Sequence, residues 1–201
     1  MRRLRGRKIA FIPQDCRGAL NPVMRIGRQI AEGLPKSIPK SEARARILDM
    51  LRLVHLDDPE RILAAYPHEL SGGMCQRAVI AMMVMGTPDL LIADEPTSAL
   101  DLTVRRHVLD LFDELIKPGG VNPDGMGLLI ISHDLDLVAG FCHRVAVMYQ
   151  GRIVETLSAA KIDNCRHPYT KGLLDCLPRF SNGGRMLPTL KPEPSWMEPV
   201  S

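Results

Sequence analysis

The sequence predicts an α/β fold with a parallel sheet and a long helical insertion, and three observations point there. Leu90-Leu91-Ile92-Ala93 and Leu128-Leu129-Ile130-Ile131 are short, continuously apolar runs, the pattern of strands buried on both faces of a parallel sheet. A helical pattern separates them, as a right-handed βαβ crossover requires. Between residues 23 and 86 the apolar spacing is almost wholly helical. Composition fits a soluble globular chain: 45% of residues are hydrophobic and 24% charged. Aromatics are only 4%, so the core is aliphatic and the 11 methionines fill its gaps.

Along the chain, Lys8-Ile9-Ala10-Phe11-Ile12 reads as a strand stopped by Pro13. Helices are expected over 23–33 and 41–55, the second carrying Ile47, Leu48, Leu51 and Val54 on one face. A connector from Asp57 to Glu69 holds Pro59 and Pro67. The next helix runs from about Gly73 to Met85 and ends at Gly86-Thr87-Pro88. After the strand 90–93, a helix is expected over 102–117 and a polar loop from Pro118 to Gly127. After the strand 128–131 comes a helix over 134–141. Arg144–Gln150 and Ile153–Glu155 form a closing strand pair around Gly151-Arg152. From His167 a short helix, Thr170–Cys176, leads into a Pro- and Gly-rich tail expected to lack fixed structure. There are no internal repeats.

Charge and cysteine usage exclude several classes. The net charge is +3, with Arg2, Arg3, Arg5, Arg7 and Lys8 crowded at the start. Without interleaved aromatics or a second basic stripe, that cluster reads as a solvated strand rather than a nucleic-acid arm. The five cysteines form no CxxC pair and no metal-ligand spacing, so reduced thiols and a cytoplasm-facing chain are expected. No apolar run reaches the length of a membrane span, and the start of the chain has no secretory apolar region.

Chemistry concentrates at the strand ends. Leu90 to Pro96 reads LLIADEP, which carries Asp94 and Glu95 to the C-terminal end of a strand, the edge where open α/β sheets bind ligands. One carboxylate there can hold Mg²⁺ through its water shell, and its neighbour can orient a water for attack on a phosphate. Taken alone, the pair reads as a strand ending in a solvated acidic turn, and only its context changes that. LLIISHDL, residues 128 to 135, carries His133 to the same edge, where it can donate to a phosphate oxygen. By itself His133 reads as a satisfied structural histidine. LSGGMCQR, residues 70 to 77, sets Ser71, Gly72 and Gly73 at a helix start, where unpaired N–H groups attract anions and glycine permits close approach. An isolated SGG is otherwise an ordinary glycine-rich helix start. Gln14, just after the first strand, could reach a metal or a γ-phosphate; alone it is a loop glutamine.

Together these stretches resemble the nucleotide-binding subunits of ABC transporters. IPQD with Gln14 resembles the Q-loop, LSGGMCQR the signature, and LLIADEP the Walker B strand. Ser98-Ala99-Leu100-Asp101 resembles the D-loop, and IISHDL the H-loop. The tail His167-Pro168-Tyr169-Thr170-Lys171-Gly172-Leu173-Leu174, the later Leu187-Pro188-Thr189, and Ala19-Leu20-Asn21-Pro22 beside Gln14 are similar to the oligopeptide/dipeptide/nickel importer subfamily. Pro13 stands where that family usually has an aromatic, and Cys16-Arg17-Gly18 interrupts a commoner D-P-x-x stretch.

The resemblance implies a RecA-like P-loop NTPase sheet, incomplete here, with an inserted helical subdomain that carries the signature. The expected segments are 1–14, the N-terminal β region up to the Q-loop; 15–86, the helical subdomain; 87–157, the Walker B and H-loop core; and 158–201, the importer-type tail. It implies Glu95 and His133 as catalytic residues, and Gln14, Ser71, Gly72, Gly73, Asp94 and Asp101 as nucleotide-binding residues. ATP and Mg²⁺ are the implied cofactors, with Gln14 and Asp94 toward the metal. The implied partners are two integral-membrane permeases, a second ABC ATPase and a periplasmic solute-binding protein, and no nucleic acid. The implied location is the cytoplasmic face of the bacterial inner membrane. Cys165 and Cys176 are the only thiols near the tail motif, so no cysteine-rich metal cluster is expected there.

One expected part is missing from the sequence. The family's P-loop reads G-x-x-x-x-G-K-[ST], and none of the seven lysines here follows a glycine. Thirteen residues precede Gln14, whereas a strand, P-loop and helix need roughly thirty. The expectation is therefore half of an ATP site: Ser71 and Gly73 toward a partner's γ-phosphate, with the subunit's own site lacking its cradle. A truncated remnant, a start assigned too late and a partner working in trans are the three readings this leaves. A soluble ABC-type ATPase acting on nucleic acid or ribosomes is the alternative from another class.

Overall fold

The computed structural model describes residues 8–98, 100–176, 196 and 199, with the backbone alone at 102 and 103. Arg2, Arg3, Arg5, Arg7, Ala99 and Leu187-Pro188-Thr189 lie outside the described residues. The chain divides into two units, Met1–Ser132 and His133–Ser201.

The first unit holds β1 (Ile9–Ile12), α1 (Ile26–Glu32), α2 (Lys40–Leu53), α3 (Pro59–Ala64), α4 (Gly72–Val84), β2 (Leu90–Asp94), α5 (Leu102–Ile116) and β3 (Gly127–Ile131). The strands form one parallel sheet in the order β1-β2-β3. Its start is fixed by backbone bonds, the Asp89 and Leu90 N–H groups donating to Lys8 O and the Gly127 N–H to Asp89 O. Lys8 and Asp89 also pair across this end, both exposed. Strand residues alternate between faces, and the register sets Ala10 and Ile12 beside Leu91 and Ala93, all at most 5% exposed.

The other face differs from expectation. Phe11, Leu129 and Ile131 are 46%, 51% and 48% exposed, so β3 is not buried on both sides. An apolar run shows that both faces of a strand can be buried. It does not show which is covered, and packing within this unit closes one.

The helical segment follows from its caps. Asp58, in the left-handed region at φ 51°, accepts from the Arg61 N–H at 3.2 Å, and Pro59 takes the first helical position, so α3 forms within what reads as a connector. A 3₁₀ turn, Pro67–Glu69, then leads to α4. Gln29 is buried; its amide accepts from the Asn21 N–H and donates to the Asn21 and Met24 carbonyls, which pins the loop before α1. α4 packs on α1, α2 and β1. Ile26, Leu51, Ile62, Val79 and Ile80 are fully buried, each worth about 1.5–3 kcal/mol of transfer free energy.

The second unit holds α6 (Leu135–Phe141), the antiparallel pair β4 (Arg144–Tyr149) and β5 (Arg152–Ser158), a 3₁₀ segment Ala159–Asn164, and α7 (Pro168–Asp175). Gln150 and Gly151 both have positive φ, as a two-residue hairpin turn needs. The pairing slips between Val147 and Met148, so Val154 and Glu155 are both buried in succession. The bulge sends the Glu155 carboxylate inward, where Oε1 accepts from the Arg166 N–H at 2.7 Å. His167 caps α7, its Nδ1 accepting from the Tyr169 N–H at 3.1 Å. With Pro168 at the first helical position, α7 begins two residues earlier than the sequence suggests. The tail was expected to lack fixed structure, yet Trp196 is buried against Tyr149 and Tyr169, with ring centroids 5.5 and 5.2 Å away.

Candidate functional site

Because β1, β2 and β3 are parallel, their C-terminal ends share one edge of the sheet. Gln14 lies two residues beyond β1 and is exposed; Asp94 ends β2, and Glu95 follows it, both half-buried. Ile12 pairs with Ala93, and Asp94 with Ile131. The Glu95 N–H donates to Ile131 O at 2.9 Å, which ties the second carboxylate to the end of β3. Three of the sequence-predicted residues, Gln14, Asp94 and Glu95, are thus brought to one edge.

The backbone at Glu95 is unusual. Its φ is 47°, a conformation that L-residues adopt only when their surroundings hold it. Ser98 closes the turn behind it, donating to Glu95 O through its N–H at 3.2 Å and its Oγ at 3.1 Å. His133 begins the second unit, two residues past β3 in sequence, and is exposed. Asp134 beside it accepts from the Leu137 N–H at 3.1 Å and so caps α6.

Ser71, Gly72 and Gly73 stand on a different element, the start of α4. Ser71 Oγ accepts from the Met74 N–H at 3.3 Å. A Cβ at Gly72 would meet nothing within 4 Å, and one at Gly73 only Val104 Cγ1, at 3.7 Å. Neither glycine has the positive φ that would demand glycine. The fold therefore leaves room for side chains that the sequence withholds. Asp101 serves as a helix cap, its Oδ1 accepting from the Val104 N–H at 3.0 Å.

Two residues that the sequence reading quoted without giving them a role join these parts. Arg17 Nη2 donates to Leu70 O at 3.0 Å, tying the loop after Gln14 to the residue before Ser71. Gln76 Nε2 donates to Pro96 O, tying α4 to the turn after Glu95. Gln76 carried a usable signal, since it is a polar residue among the buried positions Cys75, Val79 and Ile80 of α4. Nearby, burial pushes the Cys16 thiol up to about 11, helped by the Asp15 charge and by Cys75.

Among the described residues, no group of three or more His, Cys, Asp and Glu side chains is placed to hold a metal ion. Mg²⁺ asks less, since it keeps several waters and takes one or two carboxylates plus phosphate oxygens. The Asp94 carboxylate and the Gln14 amide oxygen on one sheet edge are hard oxygen donors of that kind, and they fit it. No helix among the described residues is long and apolar enough to cross a membrane.

The fold is that of an ATP-binding cassette domain. The chain belongs to the ABC transporter ATP-binding family: a family profile described as "ABC transporter" matches residues 1–98. A probable peptide ABC transporter ATP-binding protein of Sinorhizobium fredii is 47% identical, over 91% of this chain and 54% of that protein. The dipeptide transport ATP-binding protein DppD of Bacillus subtilis is 45% identical, over 94% and 56%. Among solved structures, the dimeric cassette MJ0796 bound to ADP and Pi is similar at 25% identity and TM-score 0.63, covering 77% of this chain and 64% of that one. The cassette cbiO1 of Clostridium perfringens, part of the transporter complex cbiONQ, gives 25% and 0.66, covering 78% and 59%. The chain spans about half the length of the curated relatives it matches.

Proposed function

We propose that this chain handles nucleotide in an ATP-driven importer, with peptides as the cargo. The observation that carries the reading is the shared strand edge, where Gln14, Asp94 and Glu95 converge while the bare glycines of α4 stay open. The names of the Sinorhizobium fredii and Bacillus subtilis relatives support peptide as the cargo class. The dimeric state of the MJ0796 cassette supports a pair of ATPases as the working unit.

In this reading Glu95 accepts a proton from the attacking water, and His133 donates to the γ-phosphate and keeps that water aligned. Asp94 and Gln14 would hold Mg²⁺, which when bound neutralises charge on the phosphate oxygens. Ser71, Gly72 and Gly73 present a helix start to the γ-phosphate held by the partner ATPase; without side chains at 72 and 73, that phosphate can come against the backbone. Asp101, besides capping α5, faces the nucleotide interface of the pair. The 201 residues contain no Gly-Lys pair, so none of them supplies the lysine of a G-x-x-x-x-G-K-[ST] cradle. The pair works on two permeases and a periplasmic solute-binding protein, at the cytoplasmic face of the inner membrane.

The test is nucleotide turnover by the native protein purified with its membrane assembly. Glu95→Gln should lower kcat by roughly 10²–10⁴-fold while MgATP still binds. Co-sedimentation with ribosomes instead of membranes, or full turnover in the Glu95→Gln protein, would sink the reading.

A further inference from the structure

We propose that Gln76 is a positioning residue for Glu95, a buried strut through which α4 sets the turn that carries this carboxylate. The inference rests on Glu95 being the residue that acts on water. Gln76 is 4% exposed, and its Nε2 donates to the carbonyl of Pro96, the residue directly after Glu95. Apolar side chains at Cys75, Val79 and Ile80 surround that position on the helix. An amide there is tolerated only with a partner, and its partner is this turn.

The turn needs holding. Glu95 sits at φ 47°, where its side-chain direction depends on every tie around it. Its N–H is fixed to Ile131 O, and its carbonyl receives both Ser98 donors. Those ties connect the turn to β3 and to itself. Gln76 adds a connection to a different element, the helix that opens with Ser71-Gly72-Gly73. Gln76 lies five positions after the cap Ser71, about 7.5 Å along a rigid axis. A displacement at the helix start therefore reaches the Pro96 peptide through one side chain. The proposed consequence is coupling: an anion gripped at the start of α4 changes how firmly the Glu95 turn is held.

Gln76→Met keeps the length of the side chain and removes the donor. The first readout is amide hydrogen exchange of the full chain at Glu95, Ser98 and Leu100, whose N–H groups bond Ile131 O, Glu95 O and Thr97 O. Exchange at these three should accelerate by roughly ten- to a hundredfold, with α2 and α5 unchanged. Unchanged exchange at the turn, or equal acceleration throughout the first unit, overturns the proposal. If Gln76→Met does not fold, Gln76→Asn draws the amide back by one methylene and gives the same comparison.

The second readout separates positioning from plain support. In the native membrane assembly, Gln76→Met should lower kcat while KM for ATP stays within about twofold. A loosened turn with wild-type kcat overturns the positioning role. Wild-type protein without any turnover would instead sink the proposed function, and the exchange comparison then decides this inference alone.

Discussion

Replacing Gly72 or Gly73 with alanine should make the chain more stable and its assembly less active. Alanine is favoured over glycine in a helix by up to about 1 kcal/mol, and the loss of unfolded-state freedom alone contributes about 0.4–1 kcal/mol at a compatible site. Both sites are compatible. A Cβ at 72 meets nothing within 4 Å, one at 73 meets Val104 Cγ1 at an ordinary 3.7 Å, and neither φ is positive. Each substitution should therefore stabilise the first unit by about 0.4–1 kcal/mol, read as a higher urea midpoint. The probe is far-UV circular dichroism, because the lone tryptophan, Trp196, reports the second unit. Nucleotide turnover in the native assembly should fall on the order of 10²-fold, since in the proposed function a methyl group would stand where a γ-phosphate oxygen approaches and misplace it by an ångström or more. A lower urea midpoint would show that the fold itself needs the glycines. Unchanged turnover would refute the idea that their bareness serves a ligand.

Three further outcomes are expected. Burial works to raise the Glu155 pKa, but the Thr170 side chain, the Arg166 and His167 backbone N–H groups and the His167 charge outweigh it and hold the carboxyl below its usual range. Oε1 has its backbone donor at 2.7 Å, whereas Oε2 and Thr170 Oγ1 lie sealed from water with no hydrogen-bond partner among the described residues, so the backbone donors are the firmer cause. With the folded pKa depressed, Glu155 stabilises the second unit above its ordinary value of 4.5, and this is lost as pH falls through the lowered one. Trp196 fluorescence should report that acid loosening, and Glu155→Gln should flatten its pH dependence in this window. Cys16, with its thiol pushed up to about 11, should be alkylated at neutral pH about a hundredfold more slowly than a cysteine of pKa 9, as followed by mass spectrometry. Phe112, fully buried, should cost about 3–5 kcal/mol as alanine. Leu129→Ala, on the open sheet face, should cost far less in the same urea titration.

Elements set by local rules were legible in the sequence. β2 and β3 announce themselves by apolar runs ending in Asp94-Glu95 and Ser132-His133, and α4 by Ser71 before two glycines. α3 escaped because Pro59 reads as a break, although after the Asp58 cap it is a helix start. Face exposure escaped as well: Leu129 and Ile131 are as apolar as Leu91, and only the packing of the unit decides which is covered. The ties among the site parts were invisible for a different reason. Arg17 to Leu70, and Gln76 to Pro96, span 53 and 20 residues, and no period or spacing encodes such a contact.

That last group matters most for what the site can do. The strand edge supplies Gln14, Asp94 and Glu95, which parallel pairing brings to one side and, for Glu95, the ties of its turn hold there. The α4 start supplies an anion-attracting backbone whose placement follows from a cap. Neither arrangement by itself makes one part respond to the other. Arg17 and Gln76 do, because each joins a residue flanking the α4 start, or its second turn, to a loop at the strand edge. If, as proposed, the cassette acts only when a partner's phosphate reaches the α4 start, it needs this kind of link, and hydrogen bonds from long side chains provide it. If the links matter, cutting both at once should cost more turnover than the product of the single losses. Simple multiplication would mean that the two ties hold their loops independently, and that any coupling between helix and carboxylate runs elsewhere.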